Sequence, residues 1–243
     1  MPDLWEHECA AWVQGYETVC GVDEAGAGPL MGPVYAAAVI LPRGCVIDGL
    51  NDSKKLTPKK RDAIYDVIIA EAEAWAVASV SAAEIDATDI LSARMKAMQL
   101  AIDGLPLPAE FALIDGNRDK GRSAAIRTEH RCVVKGDALS ASIAAASILA
   151  KVSRDRYMVE MAERYPQYAF EQHKGYGTKL HYERLELYGP SPIHRLTFLK
   201  KRLTGERSAC WAAGGRNWRP GSWPERDTVW WLRGGTAALE RST

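Results

Sequence analysis

The sequence has no surplus of charge of either sign: its 243 residues carry 31 lysines and arginines against 31 aspartates and glutamates. A chain that coats nucleic acid by electrostatics alone would be strongly basic, so that class is excluded, while recognition through a local basic patch is not. No CxxC pair occurs among the five cysteines, Cys9, Cys20, Cys45, Cys132 and Cys210. Odd in number and scattered, they read as reduced and mostly structural, which points to the cytoplasm. The longest apolar runs, VYAAAVIL and IAAASILA, are far too short to span a bilayer. The opening MPDLWEHECAAWVQ lacks a basic stretch followed by an apolar one, so no secretion signal is expected. No internal repeat is present.

What is there divides near Gly205. The last 39 residues hold six arginines, four acids, no lysine and five of the eight tryptophans, with Gly and Pro punctuation and no sustained period. Residues 205–243 are therefore expected to form a loosely ordered tail, and residues 1–204 the working domain. Within the latter the pattern is mixed α/β. TVCGVD (18–23), VYAAAVIL (34–41), WAVASVS, EFALID (110–115) and HRCVVKG read as strands. TPKKRDAIYDVIIAEAEA (57–74) reads as a helix with Thr57 at its N-cap and Pro58 at N1. ATDILSARMKAMQLAIDGL reads as an amphipathic helix ending at Gly104, and a long helix is expected from about Asp137 to Tyr165, stopped by Pro166. Shorter helical pieces are expected at TKLHYERLELYG and after SPIH. A central sheet flanked by helices, with a helical C-terminal part, accommodates this order.

The stretch GVDEAGAGP (21–29) sets Asp23 and Glu24 against glycines. A dinucleotide fingerprint would need GxGxxG opening a helix, but the glycines fall at 26, 28 and 32 and a second strand follows. No Lys-Ser/Thr follows them either, so a Walker loop is excluded. The acids themselves are the better candidates for chemistry. Because side chains alternate along a strand, Asp23 and Glu24 are expected to converge only if the strand ends between them. Asp115 closes another apolar strand in LIDGN, and Asp137 stands before the long apolar helix in VVKGDALSAS. Each has an ordinary reading: a turn cap for Asp23, a solvated Glu24, an Asx-turn for Asp115, an N-cap for Asp137. Together, four acids at strand ends and a helix start suit a hard divalent cation such as Mg²⁺, which serves phosphodiester hydrolysis. Asp155, 18 residues beyond Asp137 and thus roughly 27 Å along the same helix, cannot serve the same site and is expected to pair with Arg154, Arg156 or other surface charges.

GVDEAGAGP, NDSKKLTPKKR, LIDGN, VVKGDALSASIAAASILAKVSRDRYM and HKGYGTKLHYERL, in this order over roughly residues 17–200, resemble bacterial ribonuclease HII. The resemblance implies a ribonuclease H-like fold. It implies an endoribonuclease that hydrolyses the RNA strand of RNA–DNA hybrids and cleaves 5′ of single ribonucleotides embedded in duplex DNA, leaving a 3′-hydroxyl and a 5′-phosphate. The metal ligands, Mg²⁺ or Mn²⁺ being the cofactor, fall on Asp23, Glu24, Asp115 and Asp137. The glycine motif falls on Gly26, Ala27 and Gly28, whose backbone approaches the ribonucleotide, and the junction-sensing tyrosine on Tyr176. Lys54 and Lys55 are placed for phosphate contact, with His173 and Lys174 as weaker candidates. The family normally carries a basic residue where this chain has Ala27. The expected partners are hybrids and ribonucleotide-containing duplexes, not membranes, and the chain is expected to be a monomer. Two alternatives stand beside this: another nuclease of the ribonuclease H fold, and a non-catalytic hybrid-binding module.

Overall fold

The computed structural model describes residues 4–50, 56–203 and 232–233, the side chains only as far as residue 200. In chain order its elements are α1 (Glu6–Val13), β1 (Val19–Ala25), β2 (Val34–Ile40), α2 (Pro58–Glu71), β3 (Ala74–Val80), α3 (Ala82–Ala87), α4 (Ile90–Asp103), β4 (Phe111–Asp115), β5 (His130–Val133), α5 (Ala141–Arg164), α6 (Phe170–His173), α7 (Lys179–Tyr188), α8 (Leu196–Leu203) and β6 (Leu232–Arg233). The strands form one mixed sheet in the order β5-β4-β1-β2-β3-β6. β1 is antiparallel to β2 and parallel to β4, so it sits between the antiparallel and the parallel halves. No helix among the described residues is long and apolar enough to cross a membrane.

The alternation along β1 and β2 sorts the two faces. Cys20, Val22, Ala36 and Ala38 pack with Met95, Met98 and Ala101 of α4. Tyr35, Ala37 and Val39 pack with Ala144, Ile148 and Val152 of α5 and with Ile64 and Ile68 of α2. With both faces covered, β2 and β3 are buried along their whole length. A third cluster, built on Met158, Met161, Tyr165, Phe170, Leu185 and Leu199, is the helical C-terminal part.

Thr57 caps α2 as expected, its hydroxyl accepting from the Lys60 amide at 3.4 Å, with Pro58 at the first turn. Gly104 ends α4, but that helix begins at Ile90 because Asp89 accepts from the Leu91 and Ser92 amides and separates it from α3. The long helix begins at Ala141. Ser140, not Asp137, is its N-cap, accepting from the Ile143 amide at 3.2 Å, while Asp137 lies in a separate 3₁₀ turn, Gly136–Ala138. The helix α1 has no counterpart among the expected elements. Most of residues 205–243 lies outside the described residues, but Leu232 and Arg233 pair with Val77 and Ala76 of β3.

The packing of α5 on β1 depends on Gly21. A Cβ at this position would lie 2.1 Å from the Ser142 carbonyl carbon and 2.2 Å from the Ile143 amide nitrogen. The obstruction is backbone on both sides, so no rotamer relieves it. Gly21→Ala is expected to destabilise the fold by about 3 kcal/mol, at or beyond the usual range for overpacking. Urea unfolding of the variant checks this, and a midpoint equal to the parent's would show that α5 can ride up on the sheet without cost.

Candidate active site

Asp23 and Asp115 occupy neighbouring rows on one face of the sheet. Val22 pairs with Ile114 across the parallel strands, so the next residues of β1 and β4 are the two acids, side by side. Their face is the one α5 covers: Asp23 accepts a hydrogen bond from the Ser147 hydroxyl, and Leu113, two residues before Asp115, packs on Ile143. Asp23 is buried and its Oδ1 also accepts from the Glu24 amide at 2.7 Å.

Glu24 points to the opposite face. The strand does not end between the two acids, because Asp23, Glu24 and Ala25 all remain in register with β2, at Ala37, Ala36 and Tyr35. The expected convergence by a strand end is therefore replaced by a pair that straddles the sheet. On its own face Glu24 receives Arg94 of α4, Nη2 to Oε1 at 2.5 Å, while its Oε2 is buried without a hydrogen-bond partner.

Asp115 accepts at Oδ1 from the amide of Gly136, at 2.7 Å, in the 3₁₀ turn that carries Asp137. The segment that follows the turn is anchored by α1. Glu8 of α1, buried, accepts at Oε1 from the hydroxyls of Ser140 and Ser142 and from the Ser142 amide, at 2.6, 2.5 and 3.0 Å. A buried carboxylate thus ties α1 to the start of α5, immediately after buried Asp137. Asp155 lies away from this cluster, paired with Lys151 and, at 3.4 Å, with Arg61.

The electrostatics follow from this crowding. Burial raises Asp23 well above the usual carboxylate range, and the charges of Glu24 and Asp115 push it further, against the hydrogen bond from Ser147. Burial likewise raises Glu24, with Arg94 opposing and Asp115 adding to the rise. Among the described residues no three acid, histidine or cysteine side chains close on a point as a preformed metal cage. The donor set nevertheless fits a hard cation: the donors are carboxylate oxygens, Asp23 is raised by burial and by its acidic neighbours, and the buried Oε2 of Glu24 has no hydrogen-bond partner.

The glycine loop is held from inside by two buried arginines that the sequence pattern did not disclose. Arg195 donates to the carbonyls of Gly26, Ala27, Pro29 and Gly32, at 2.6, 3.0, 2.9 and 2.9 Å. Arg154 fills the space beside Gly26, where a Cβ would lie 2.2 Å from its Nε; Gly26 also has φ +94°, so it answers two constraints at once. Tyr176 meets this loop from 150 residues away: its ring is the nearest group to Gly28, 3.9 Å from where a Cβ would be, and Arg154 lies 5.8 Å behind the ring centroid. The phenol is 47% exposed, so Tyr176 is not core. Gly28 is open, Ala27 half-buried, and Lys174 holds a left-handed φ of 48° just before the tyrosine. Lys54 and Lys55 lie outside the described residues.

The family described as Ribonuclease HII matches residues 20–201. Ribonuclease HII of Caldicellulosiruptor bescii is 51% identical over 191 residues, covering 79% of this chain and 91% of that protein. Ribonuclease HII of Burkholderia ambifaria is 54% identical over 186 residues, covering 76% and 84%. Among solved structures, ribonuclease H2 from Pyrococcus horikoshii OT3 superposes with a TM-score of 0.63 at 25% identity, covering 80% of this chain and 96% of that one. Bst-RNase HIII in complex with Mn²⁺ has a TM-score of 0.56 at 20% identity, covering 84% and 72%, and shares the fold.

A carboxylate whose folded-state pKa is raised stabilises the fold most at low pH, and that stability is lost as pH rises from the unfolded value through the raised one. Removing the Asp23 charge should therefore stabilise the cation-free protein. At pH 8 in chelator, Asp23→Asn is expected to melt a few degrees above the parent, and added Mn²⁺ should raise the parent's midpoint more than the variant's. Differential scanning fluorimetry reads both. A variant that melts lower and answers Mn²⁺ as the parent does would place Asp23 outside the cluster.

Proposed function

The chain belongs to the ribonuclease HII family and is a ribonuclease H, and from that premise we propose that it hydrolyses the RNA strand of RNA–DNA hybrids and cuts 5′ of single ribonucleotides embedded in duplex DNA. The products in this reading carry a 3′-hydroxyl and a 5′-phosphate, and the enzyme acts as a cytoplasmic monomer. The observation that carries the proposal is the meeting, at one end of the sheet, of neighbouring acids, Asp23 among them raised by burial, with a glycine loop and an exposed tyrosine.

Asp23, Glu24, Asp115 and Asp137 would hold Mg²⁺ or Mn²⁺. When bound, the cations supply activation of a water and stabilisation of the leaving oxygen. The protein's own groups orient the ligands: Ser147 and the Glu24 amide hold Asp23, the Gly136 amide holds Asp115, and Arg94 pairs with Glu24 and opposes the rise that burial causes. At Gly28 the chain has no side chain to keep a sugar away, so the backbone can meet a 2′-hydroxyl, the group that separates RNA from DNA. The Tyr176 ring offers a stacking face for the sugar that follows, with Arg154 fixed behind it. Ala27 in place of the family's basic residue removes a charge from this face, and the buried Arg195 holds the loop without it.

The test is cleavage of a duplex containing one ribonucleotide beside an all-DNA duplex, with Mg²⁺, with Mn²⁺ and with chelator. Cleavage is expected only of the first and only with metal. Asp137→Asn should reduce it at least about a hundredfold at saturating Mg²⁺, as loss of a ligand charge requires; a change of a few fold would remove Asp137 from the ligand set. Tyr176→Ala should reduce it by the loss of one stacking contact, about 1–3 kcal/mol, and an unchanged rate would remove that tyrosine from the substrate face.

A further inference from the structure

Three of the five histidines lie together in the C-terminal part, outside the site described above. His181, His194 and His173 are all buried. The rings of His173 and His181 stack with centroids 4.3 Å apart at 18°, and Nε2 of His181 lies 3.0 Å from Nε2 of His194. Imidazoles this close and this buried are not charged together, so the question is where each keeps its single proton.

The surrounding backbone answers, because an amide N–H only donates and a carbonyl only accepts. The Ser191 amide donates to Nδ1 of His194 at 2.9 Å, so that nitrogen is bare and the ring's proton is on Nε2. His194 Nε2–H then donates to Nε2 of His181, whose own proton is on Nδ1 and donates to the Tyr176 carbonyl at 2.9 Å. In His173 the Gly175 amide donates to Nδ1 at 3.2 Å, and Nε2–H donates to the Tyr168 carbonyl at 3.0 Å. Every ring is neutral and every tautomer is determined. The segment they grip is left-handed at both Lys174 and Gly175, is also tied by Arg154 to the Lys174 carbonyl and by the Leu30 amide to the Gly175 carbonyl, and projects Tyr176 half into solvent.

We propose that this directed chain, Ser191 to His194 to His181 to the Tyr176 carbonyl, with His173 closing on Gly175, positions the Tyr176 loop against the glycine loop. The proposal rests on the reading of Tyr176 as a substrate-facing residue. The same turn serves both walls, for His194 starts the grip on one loop while its neighbour Arg195 holds the carbonyls of the other; the Leu30 amide, donating to the Gly175 carbonyl at 2.9 Å, joins the two.

The groups facing the three rings are few. Glu171 faces His173, the Tyr168 ring lies 5.2 Å from His194, Arg195 adjoins His194 in sequence, and Arg154 reaches the Lys174 carbonyl. Burial holds all three imidazoles below their ordinary value, His181 at about 4 and His194 at about 3. The unfolded chain therefore binds more protons between these values and about 6.5. The cluster's contribution to stability is complete above that range and is lost as pH falls through it.

Long-range ¹⁵N–¹H spectra of the ¹⁵N-labelled full chain at pH 7.5 read the tautomers directly. The expected pattern is Nδ1–H for His181 and Nε2–H for His173 and His194, and a charged or Nε2-protonated His181 would overturn the chain. Two variants then separate positioning from general damage. His181→Asn keeps a donor for the Tyr176 carbonyl and should leave amide exchange of residues 175–178 near the parent's, while His181→Leu should speed it. On a single-ribonucleotide duplex, His181→Leu should lose about as much kcat/KM as Tyr176→Ala, about tenfold for one stacking contact, and the double variant should lose no more than either. Losses that add, or equal exchange in the Asn and Leu variants, would overturn the positioning role. Parent-like cleavage by Tyr176→Ala with parent-like cleavage by His181→Leu would instead fail the reading of the tyrosine, and the exchange contrast would still decide the positioning of its loop.

Discussion

Asp23 and Asp115 stand side by side on a parallel strand pair and repel each other, and much of the molecule is arranged to hold them there. β1 cannot yield sideways because β2 and β4 hydrogen-bond it on both edges. It cannot yield outward because α5 lies on it backbone to backbone at Gly21. The 3₁₀ turn that carries Asp137 brings an amide to Asp115, and Glu8 secures the segment behind that turn from another helix. Folding alone does not favour such a grouping, for burial raises Asp23 and the charges of Glu24 and Asp115 push it further. A site kept at a cost to stability is one whose function supplies the missing charge.

The same economy appears behind the substrate face. The glycine loop and the Tyr176 loop have little regular secondary structure, so their shape comes from buried polar side chains that reach them from the helices. Arg195 spans four carbonyls, Arg154 fits where Gly26 has no Cβ, and the histidine chain ends on the tyrosine's own carbonyl. Buried donors and acceptors that are satisfied in only one arrangement define a loop more narrowly than apolar contact, because each alternative leaves a polar group unpaired. The open face can then stay free of side chains where a nucleic acid must approach. Arg154 is the exception, with Nε and Nη1 buried and unpartnered, next to the loop that it shapes.

Much of the site was legible in the sequence because local chemistry repeats it. Acids at the polar ends of apolar strands, a Thr-Pro helix start at residues 57–58 and a glycine-rich turn are all short-range patterns, and the strands and helices they bracket are present. Tyr176 in its GYG setting reads as exposed, and it is. Two readings required more than local pattern. Whether Glu24 shares a face with Asp23 depends on where β1 stops, and β2 keeps pairing through Ala25. Whether Asp137 caps the helix depends on competition with Ser140, which has the better-placed oxygen and the support of Glu8.

The order of motifs along the chain, the residue types able to bind a hard cation and the alternation that buries both sheet faces are determined by the sequence alone. They rest on periodicities of a few residues, which the chain carries locally. Only the tertiary structure decided which acids are neighbours, which arginines are buried and on which nitrogen each of three histidines keeps its proton. Arg154, Arg195 and the histidines sit in stretches that read locally as ordinary polar helix or turn. The arginines reach carbonyls and a glycine distant in sequence, while the histidines meet groups two to thirteen residues away, and in both cases only packing brings those groups within hydrogen-bond reach.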